Sequence, residues 1–196
     1  MAIEIIDYQP DWPARFERIG RVLRAALESR ARAIHHIGST SVPGLVAKDI
    51  IDIQITVADF DPALAGLLEG CGLGLTWRRD IVHDHLPPGM ELAADELAKR
   101  LASRAIGAGG AGQATNIHIR IDGKFNQRYP LLCRDYLRCH PDAASAYGVI
   151  KQQLARYFPD NKEAYYDIKD PVFDIIMAGA RDWARVTGWR PAASDA

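Results

Sequence analysis

Residues 50–57 carry a strict two-residue alternation, with Ile51, Ile53, Ile55 and Val57 on one side and Asp52, Gln54 and Thr56 on the other. A period of two is the mark of a β-strand with one face in a core, and a one-residue slip would bury the carboxylate. The chain is thereby bound to a sheet whose apolar face is covered and whose second face can host Asp52. Residues 32–37 read as a further strand, joined to the first through a small-residue turn that begins at Gly38 and Ser39. A turn that exposes backbone N–H groups, set beside a strand carboxylate, suits a nucleotide's phosphates and their metal ion.

The 196 residues suffice for one substantial core, so a single domain over 1–196 is expected, with an α/β part to about 122 and a helical part over about 123–190. A formal net charge of -1 gives no bulk reason to expect nucleic acid, though local basic clusters can still bind a small anion. Cys71, Cys133 and Cys139 have no metal-ligand spacing and read as free, mostly buried thiols of a reducing compartment. The N-terminal residues lack a basic stretch followed by a long apolar run, and no segment has membrane-spanning length. Those features point to the cytoplasm and away from the membrane.

The remaining elements follow from spacing and caps. Ile3 and Ile5 suggest an edge strand or docking arm. Asp11 caps a helix to about Ser29, with Phe16, Ile19, Leu23 and Leu27 at helical spacing. A short helix runs from Asp61 and Pro62 to about Glu69, and residues 73–83 read as a strand. Glu91 to Arg104 is rich in helix formers, and the glycines of 107–112 read as a plain loop rather than a phosphate cradle. Thr115 to Ile121 alternates again, placing Ile117, Ile119 and Ile121 opposite Asn116, His118 and Arg120. Three helices are expected over 130–139, 141–157 and 171–187, each opened by a proline, with Asp170 capping the last. The tail 190–196 is expected to fray.

Several side chains could carry chemistry. An ionised Asp52 on a strand needs a cation or donors, which Mg²⁺ with phosphates or a structural arginine would each supply. Ser39, Thr40 and Ser41 offer hydroxyls for terminal phosphates or, equally, turn and cap chemistry. Lys48 follows a Pro-Gly turn and can reach the same phosphates or sit in solvent. Arg134 and Arg138 share a helix face near Arg128, able to clamp a phosphate or to pair with Asp135 and Asp142; Lys151 on the next helix would complete a basic rim. His83 and His85 share one side of a strand, but no third ligand follows at a metal-site spacing, so pocket or loop structure is the better reading.

Gly38 and Ser39, a twelve-residue spacer, then Asp52 and Gln54 is close to the signature of the nucleotidyltransferase superfamily typified by DNA polymerase β. The wider stretches His36–Lys48 and Asn126–Pro141, with Tyr147, Lys151, Tyr165, Lys169 and Ala180–Trp183, resemble the GrpB family of nucleotidyltransferase-like proteins. The resemblance spans nearly the whole chain and implies an α+β fold, with a mixed sheet flanked by helices and a helical C-terminal part. It implies that Asp52 binds Mg²⁺, and that Gly38, Ser39, Thr40 and Ser41 hold phosphates with Lys48, Arg128, Arg134 and Lys151. Gln54 falls where the superfamily places a second carboxylate; a neutral amide can orient a phosphate or water but cannot supply that charge. His118 falls near a third acidic position, as general base, ligand or phosphate contact. Asn116 stands where the family favours a second histidine.

Three functions compete. The leading one is Mg²⁺-dependent transfer of a nucleotidyl or phosphoryl group from a nucleoside triphosphate to a small acceptor. The second is a nucleotide- or coenzyme-binding module without transfer. The third is an accessory folding or partner-binding domain, suggested by relatives fused to dephospho-coenzyme A kinases.

Overall fold

A computed structural model describes residues 2–105 and 112–196. The glycine-rich stretch read above as a loop therefore lies, except for Gly112, outside the described residues. The sheet is built from β1 (Ala33–Ile37), β2 (Ile51–Val57), β3 (Thr76–Arg78), β4 (Lys99–Arg104) and β5 (Thr115–Ile121). Their order across the sheet is β1-β2-β5-β4-β3. Only β2 and β5 run parallel; the other neighbours are antiparallel. The crossover that a parallel pair requires is supplied by the short helix α2 (Leu64–Gly70) together with β3 and β4.

One sheet face meets α1 (Trp12–Leu27) and α2. Trp12, Phe16, Leu23 and Leu27 from α1 and Leu64 and Leu68 from α2 pack on Ile51, Ile53, Ile55, Ile117 and Ile119. Each large side chain so buried contributes about 1.5–3 kcal/mol, which fixes the register of β2 and with it the side on which Asp52 emerges. Asp11 precedes α1 as expected, but its carboxylate makes no cap; it pairs with Arg15 at 2.8 Å instead.

The opposite face is polar and is covered by α3 (Phe125–Cys139), α4 (Pro141–Tyr157) and α5 (Lys162–Thr187). Leu132, Leu137, Tyr147, Met177 and Ala180 form a second apolar cluster among these helices. The cavity described below lies between that cluster and the polar sheet face. Cys71, Cys133 and Cys139 are free, with Cys133 buried and Cys139 exposed. Among the described residues no helix is long and apolar enough to cross a membrane.

Four further expectations are corrected. Residues 99–104 are a strand, because pairing on both sides, with β3 and β5, overrides the helix-forming composition of 91–104; only Ala94–Glu96 is helical, as one 3-10 turn. α3 starts at Phe125 and α5 at Lys162, so Pro130 and Pro171 lie inside helices rather than at their first turns. The side chain of Asn161, not Asp170, caps α5, accepting from the Ala164 N–H at 3.0 Å. The tail is not frayed: the Asp195 N–H donates to the Ile34 carbonyl at 2.9 Å, and Ala196 packs against the first core.

Candidate functional site

The turn after β1 and the carboxylate on β2 converge. Gly38 has φ 71° and ψ −172°, and it precedes a 3-10 turn over Ser39–Ser41. A Cβ on Gly38 would come within 2.5 Å of Asp52 Oδ2, so only glycine lets the turn close over that carboxylate. The turn is pinned from within. Thr40 Oγ1 meets His36 Nε2 at 3.0 Å and donates to the Ile50 carbonyl, while the Ser41 hydroxyl donates to the Gly38 carbonyl at 2.6 Å.

Pairing of β2 with β5 sets Asp52 beside Asn116 and Gln54 beside His118. The Asn116 amide donates to Asp52 Oδ1 at 2.8 Å, and His118 Nε2 stands 3.8 Å from the same oxygen. Burial alone would raise the Asp52 carboxyl; His118, Asn116 and Lys48 outweigh it and hold it below the ordinary carboxylate value. Burial pushes the His118 imidazole down against the pull of Asp52, and Arg120 and Lys99 push it further. Asp52 is therefore the charged member at neutral pH and His118 a neutral one, with its Nδ1 buried and unpartnered among the described residues.

Gln54 faces the helices but is fully enclosed. Its amide N–H₂ donates to the Gln127 carbonyl at 2.8 Å, and its carbonyl accepts from Arg120 at 2.8 Å. Arg120 then grips Asp84 with two further bonds, and Lys99 and Asn126 donate to the same carboxylate. Although burial opposes it, the Arg120 and Lys99 charges hold the Asp84 carboxyl far below its usual range. This network is a rigid buttress under the site, with Arg120 supplying the positive charge.

Above this floor stand three lysines. Lys151, 3% exposed, donates to Ser39 Oγ at 2.8 Å and to the Val46 carbonyl, with its ammonium over the Tyr147 ring. Lys48 donates to the Tyr166 hydroxyl and lies over the rings of Tyr165 and Tyr166. Lys169 pairs with Asp170 at 2.6 Å and lies over Phe173. Among the described residues neither Lys48 nor Lys151 forms an ion pair with a carboxylate, though the Lys48 charge is felt at Asp52. Burial, with Lys169 and Lys48 close by, pushes the Lys151 ammonium down to about 7.

These groups line one cavity of about 600 Å³. The structure brings Gly38, Ser39, Thr40, Lys48, Asp52, His118, Arg134 and Lys151 to it, and leaves Gln54, Ser41 and Arg128 off its walls. Arg128 is exposed. Arg134 reaches the cavity with its guanidinium already bound to the His36 carbonyl, Asp135 and Asp195. Asp84 also lines the cavity, yet His83 and His85 make no metal cluster with it: His83 bridges Ala98, and His85 meets Asp174 at 3.3 Å. The roles of Lys169, Arg120 and Asp84 emerge only from the fold. Arg120 shares the alternation of Asn116 and His118, which is a usable signal; nothing local marks Asp84 as the partner of Arg120.

The donor set limits what metal the site could hold. Gln54 and Asp84 are both committed to protein donors, and among the described residues no group of three His, Cys, Asp or Glu side chains could hold an ion. A two-ion centre does not fit. A single Mg²⁺ brought by phosphates, with Asp52 as its protein carboxylate, does.

The sequence profile described as GrpB protein matches residues 2–178, and the chain belongs to that family. A protein of Mycolicibacterium paratuberculosis named dephospho-CoA kinase is 32% identical over 201 residues, covering 96% of this chain and 48% of the relative. A UPF0157 protein of Pseudomonas aeruginosa is 35% identical over 180 residues, covering 91% and 67%. The chain thus spans about half the length of the first of these relatives. The crystal structure of conserved protein GrpB from Enterococcus faecalis superposes with a TM-score of 0.68 at 29% identity, over 92% of this chain and 99% of that one.

Proposed function

We propose that the cavity binds the phosphates of a nucleotide-class small molecule, and that the protein transfers a phosphoryl or nucleotidyl group from it to a small acceptor. One observation carries the reading: Lys151, nearly fully buried and without an ion pair among the described residues, faces the same space as Lys48 and Lys169. Gathering three cations around one enclosed space is costly unless an anion completes the site, and only Lys169 has a carboxylate, Asp170, to offset it. The rings of Tyr147, Tyr165, Tyr166 and Phe173 give the same cavity an apolar wall suited to the rest of such a ligand.

On this reading the lysines and the Ser39 hydroxyl hold phosphate oxygens. Neutral His118 accepts the acceptor's proton, and charged Asp52 stabilises the imidazolium that results. Mg²⁺ held by Asp52 and the phosphates would draw negative charge off the reacting phosphoryl group. The Arg120 and Lys99 charges sit behind Asp84 and keep the floor fixed. The dephospho-CoA kinase name carried by several relatives is in keeping with a phosphorylated ligand.

A second reading, binding without transfer, is favoured by Gln54, whose amide is locked to Arg120 where a carboxylate would serve two-ion chemistry. Calorimetric titration with ATP, CTP and GTP, with and without Mg²⁺, tests binding, and pyrophosphate or phosphate release with a panel of small acceptors tests transfer. Binding together with acceptor-dependent release is expected. Binding without release in any arm leaves the second reading, and no binding of any nucleotide refutes both.

A further inference from the structure

Ser39 and Lys151 make a pair that phosphate binding alone does not require. The Ser39 hydroxyl oxygen lies 2.8 Å from Lys151 Nζ, and both line the cavity, with Ser39 half-buried and Lys151 enclosed. A lysine that served only as a counter-charge would keep its ammonium hydrated or salt-bridged. Here the amine is 3% exposed and lies close to the Lys48 and Lys169 charges, which outweigh the Val46 carbonyl and the Tyr147 ring that favour the ammonium, so it is an amine that can give up its proton. The turn that carries Ser39 is held at a conformation only glycine readily adopts and is pinned by Thr40 and Ser41, so the hydroxyl has a fixed aim.

We propose that Ser39 is a nucleophile and Lys151 its general base, and that a phosphoryl group passes through Ser39 on its way from donor to acceptor. The substrate class rests on the anion-binding reading above; the pairing itself does not. In the first step Ser39 Oγ attacks phosphorus, its proton moves to the neutral Lys151 amine, and the bond from phosphorus to the leaving oxygen breaks. The leaving group departs as the anion, and Lys151 keeps the proton. In the second step a water or acceptor hydroxyl gives its proton to His118 and attacks phosphorus, the Oγ–P bond breaks, and Oγ takes its proton back from Lys151 to restore Ser39. Lys48 and Lys169 face the phosphoryl oxygens and offset their charge.

The base must be neutral near physiological pH, and the groups around it favour that. Lys48 and Lys169 are cations, Tyr147 and Tyr165 are phenols that burial holds protonated, and the Asp170 carboxylate is taken by Lys169. On the floor opposite stand two carboxylates, Asp52 and Asp84, the latter taken by Arg120 and Lys99.

A fluorophosphonate tests the pair without any natural substrate, since attack by Oγ expels fluoride and leaves a stable Ser39–phosphorus bond. Wild-type protein is treated at a series of pH values and the adduct is located by peptide mass spectrometry, with Ser39→Ala and Lys151→Met in parallel. The expected result is one adduct on Ser39, forming at a rate that rises through neutral pH and levels off. It should be absent in Ser39→Ala and slower in Lys151→Met by about a hundredfold or more, the usual scale of general-base assistance. The wild-type pH profile needs no variant to fold. An unlabelled Ser39 across neutral and mildly alkaline pH overturns the proposal, as does labelling indifferent to Lys151→Met in a variant that melts like wild type. Sulfate calorimetry on the same preparations separates the two claims. Sulfate binding without Ser39 labelling removes the nucleophile and leaves the anion reading standing. Labelling without sulfate binding removes the phosphoryl substrate and overturns the proposal as stated.

Discussion

Replacing Gly38 with alanine tests whether the turn and the strand carboxylate are built against one another. The backbone at Gly38, φ 71° and ψ −172°, is a region nearly closed to other residues, and forcing alanine into it costs on the order of 1–3 kcal/mol. The new Cβ would stand 2.5 Å from Asp52 Oδ2 and 3.0 Å from the Asp52 Cβ. Contacts that short do not persist, so Asp52 must swing away and release the 2.8 Å bond from Asn116. A hydrogen bond to a charged group is worth about 1.5–3 kcal/mol, which brings the expected loss for Gly38→Ala to about 2.5–6 kcal/mol. Gly44 is the control: its φ is 77°, yet nothing lies within 4 Å of the Cβ position. Gly44→Ala therefore carries backbone strain alone, about 1–2 kcal/mol. Urea unfolding followed by fluorescence of the four tryptophans reads both, as a drop in midpoint at constant slope. In a double-mutant cycle, Gly38→Ala and Asp52→Ala should be less than additive, because truncating Asp52 removes most of the clash. Equal losses for the two glycine variants, or strict additivity with Asp52→Ala, would refute the reasoning.

The other predictions follow from the charges around the cavity. Asp84→Asn leaves Arg120 buried without its counter-charge and should cost about 3–5 kcal/mol at neutral pH, read by urea midpoint. Since the folded Asp84 carboxyl lies below its unfolded value, its contribution is complete above about pH 4 and fades as pH falls further; the Asn variant should lack that acid-side loss. Lys151 has the opposite sense for folding: its ammonium is pushed down to about 7, so the unfolded chain holds more protons between that point and its ordinary value of 10.5. Wild type should therefore gain stability relative to Lys151→Met as pH rises from neutral toward 10.5, and a parallel pair of melting curves would contradict this. Lys48→Met and Lys169→Met should each weaken sulfate binding roughly tenfold, the effect of one charge-assisted contact, while Arg128→Met, outside the cavity, should leave it unchanged.

Where one face of an element alternates or repeats cleanly, its fold is legible from its residues. The isoleucines of β2 and β5 mark one face as core, and so place Asp52, Asn116 and His118 together on the other. β4 was illegible for the opposite reason. Its Lys99, Arg100 and Arg104 suit a helix, and only the pairing with β3 and β5, together with Asp84 waiting for Lys99, makes it a strand. Pro130 and Pro171 mislead because proline is welcome in a first turn, yet packing of α3 and α5 around the second core sustains both helices through it. The tail reads as solvent-loving, but Asp195 finds Arg134 at 2.7 Å and the His36 N–H at 3.0 Å, partners more than fifty residues away. In the site, Lys48 and Lys151 were visible singly, while Lys169 and the convergence of all three were not, since they come from a loop and two helices that only tertiary packing joins.

The central claim is that the hydroxyl-bearing turn, the three lysines and Asp52 surround one phosphate-binding space. A crystal structure of the protein grown with ATP tests it most directly. The account expects triphosphate density bonded to Lys151 and Lys169, with the nearest phosphate facing Ser39. A nucleotide seated elsewhere on the molecule, with the lysine cavity free of phosphate at saturating concentration, would contradict it.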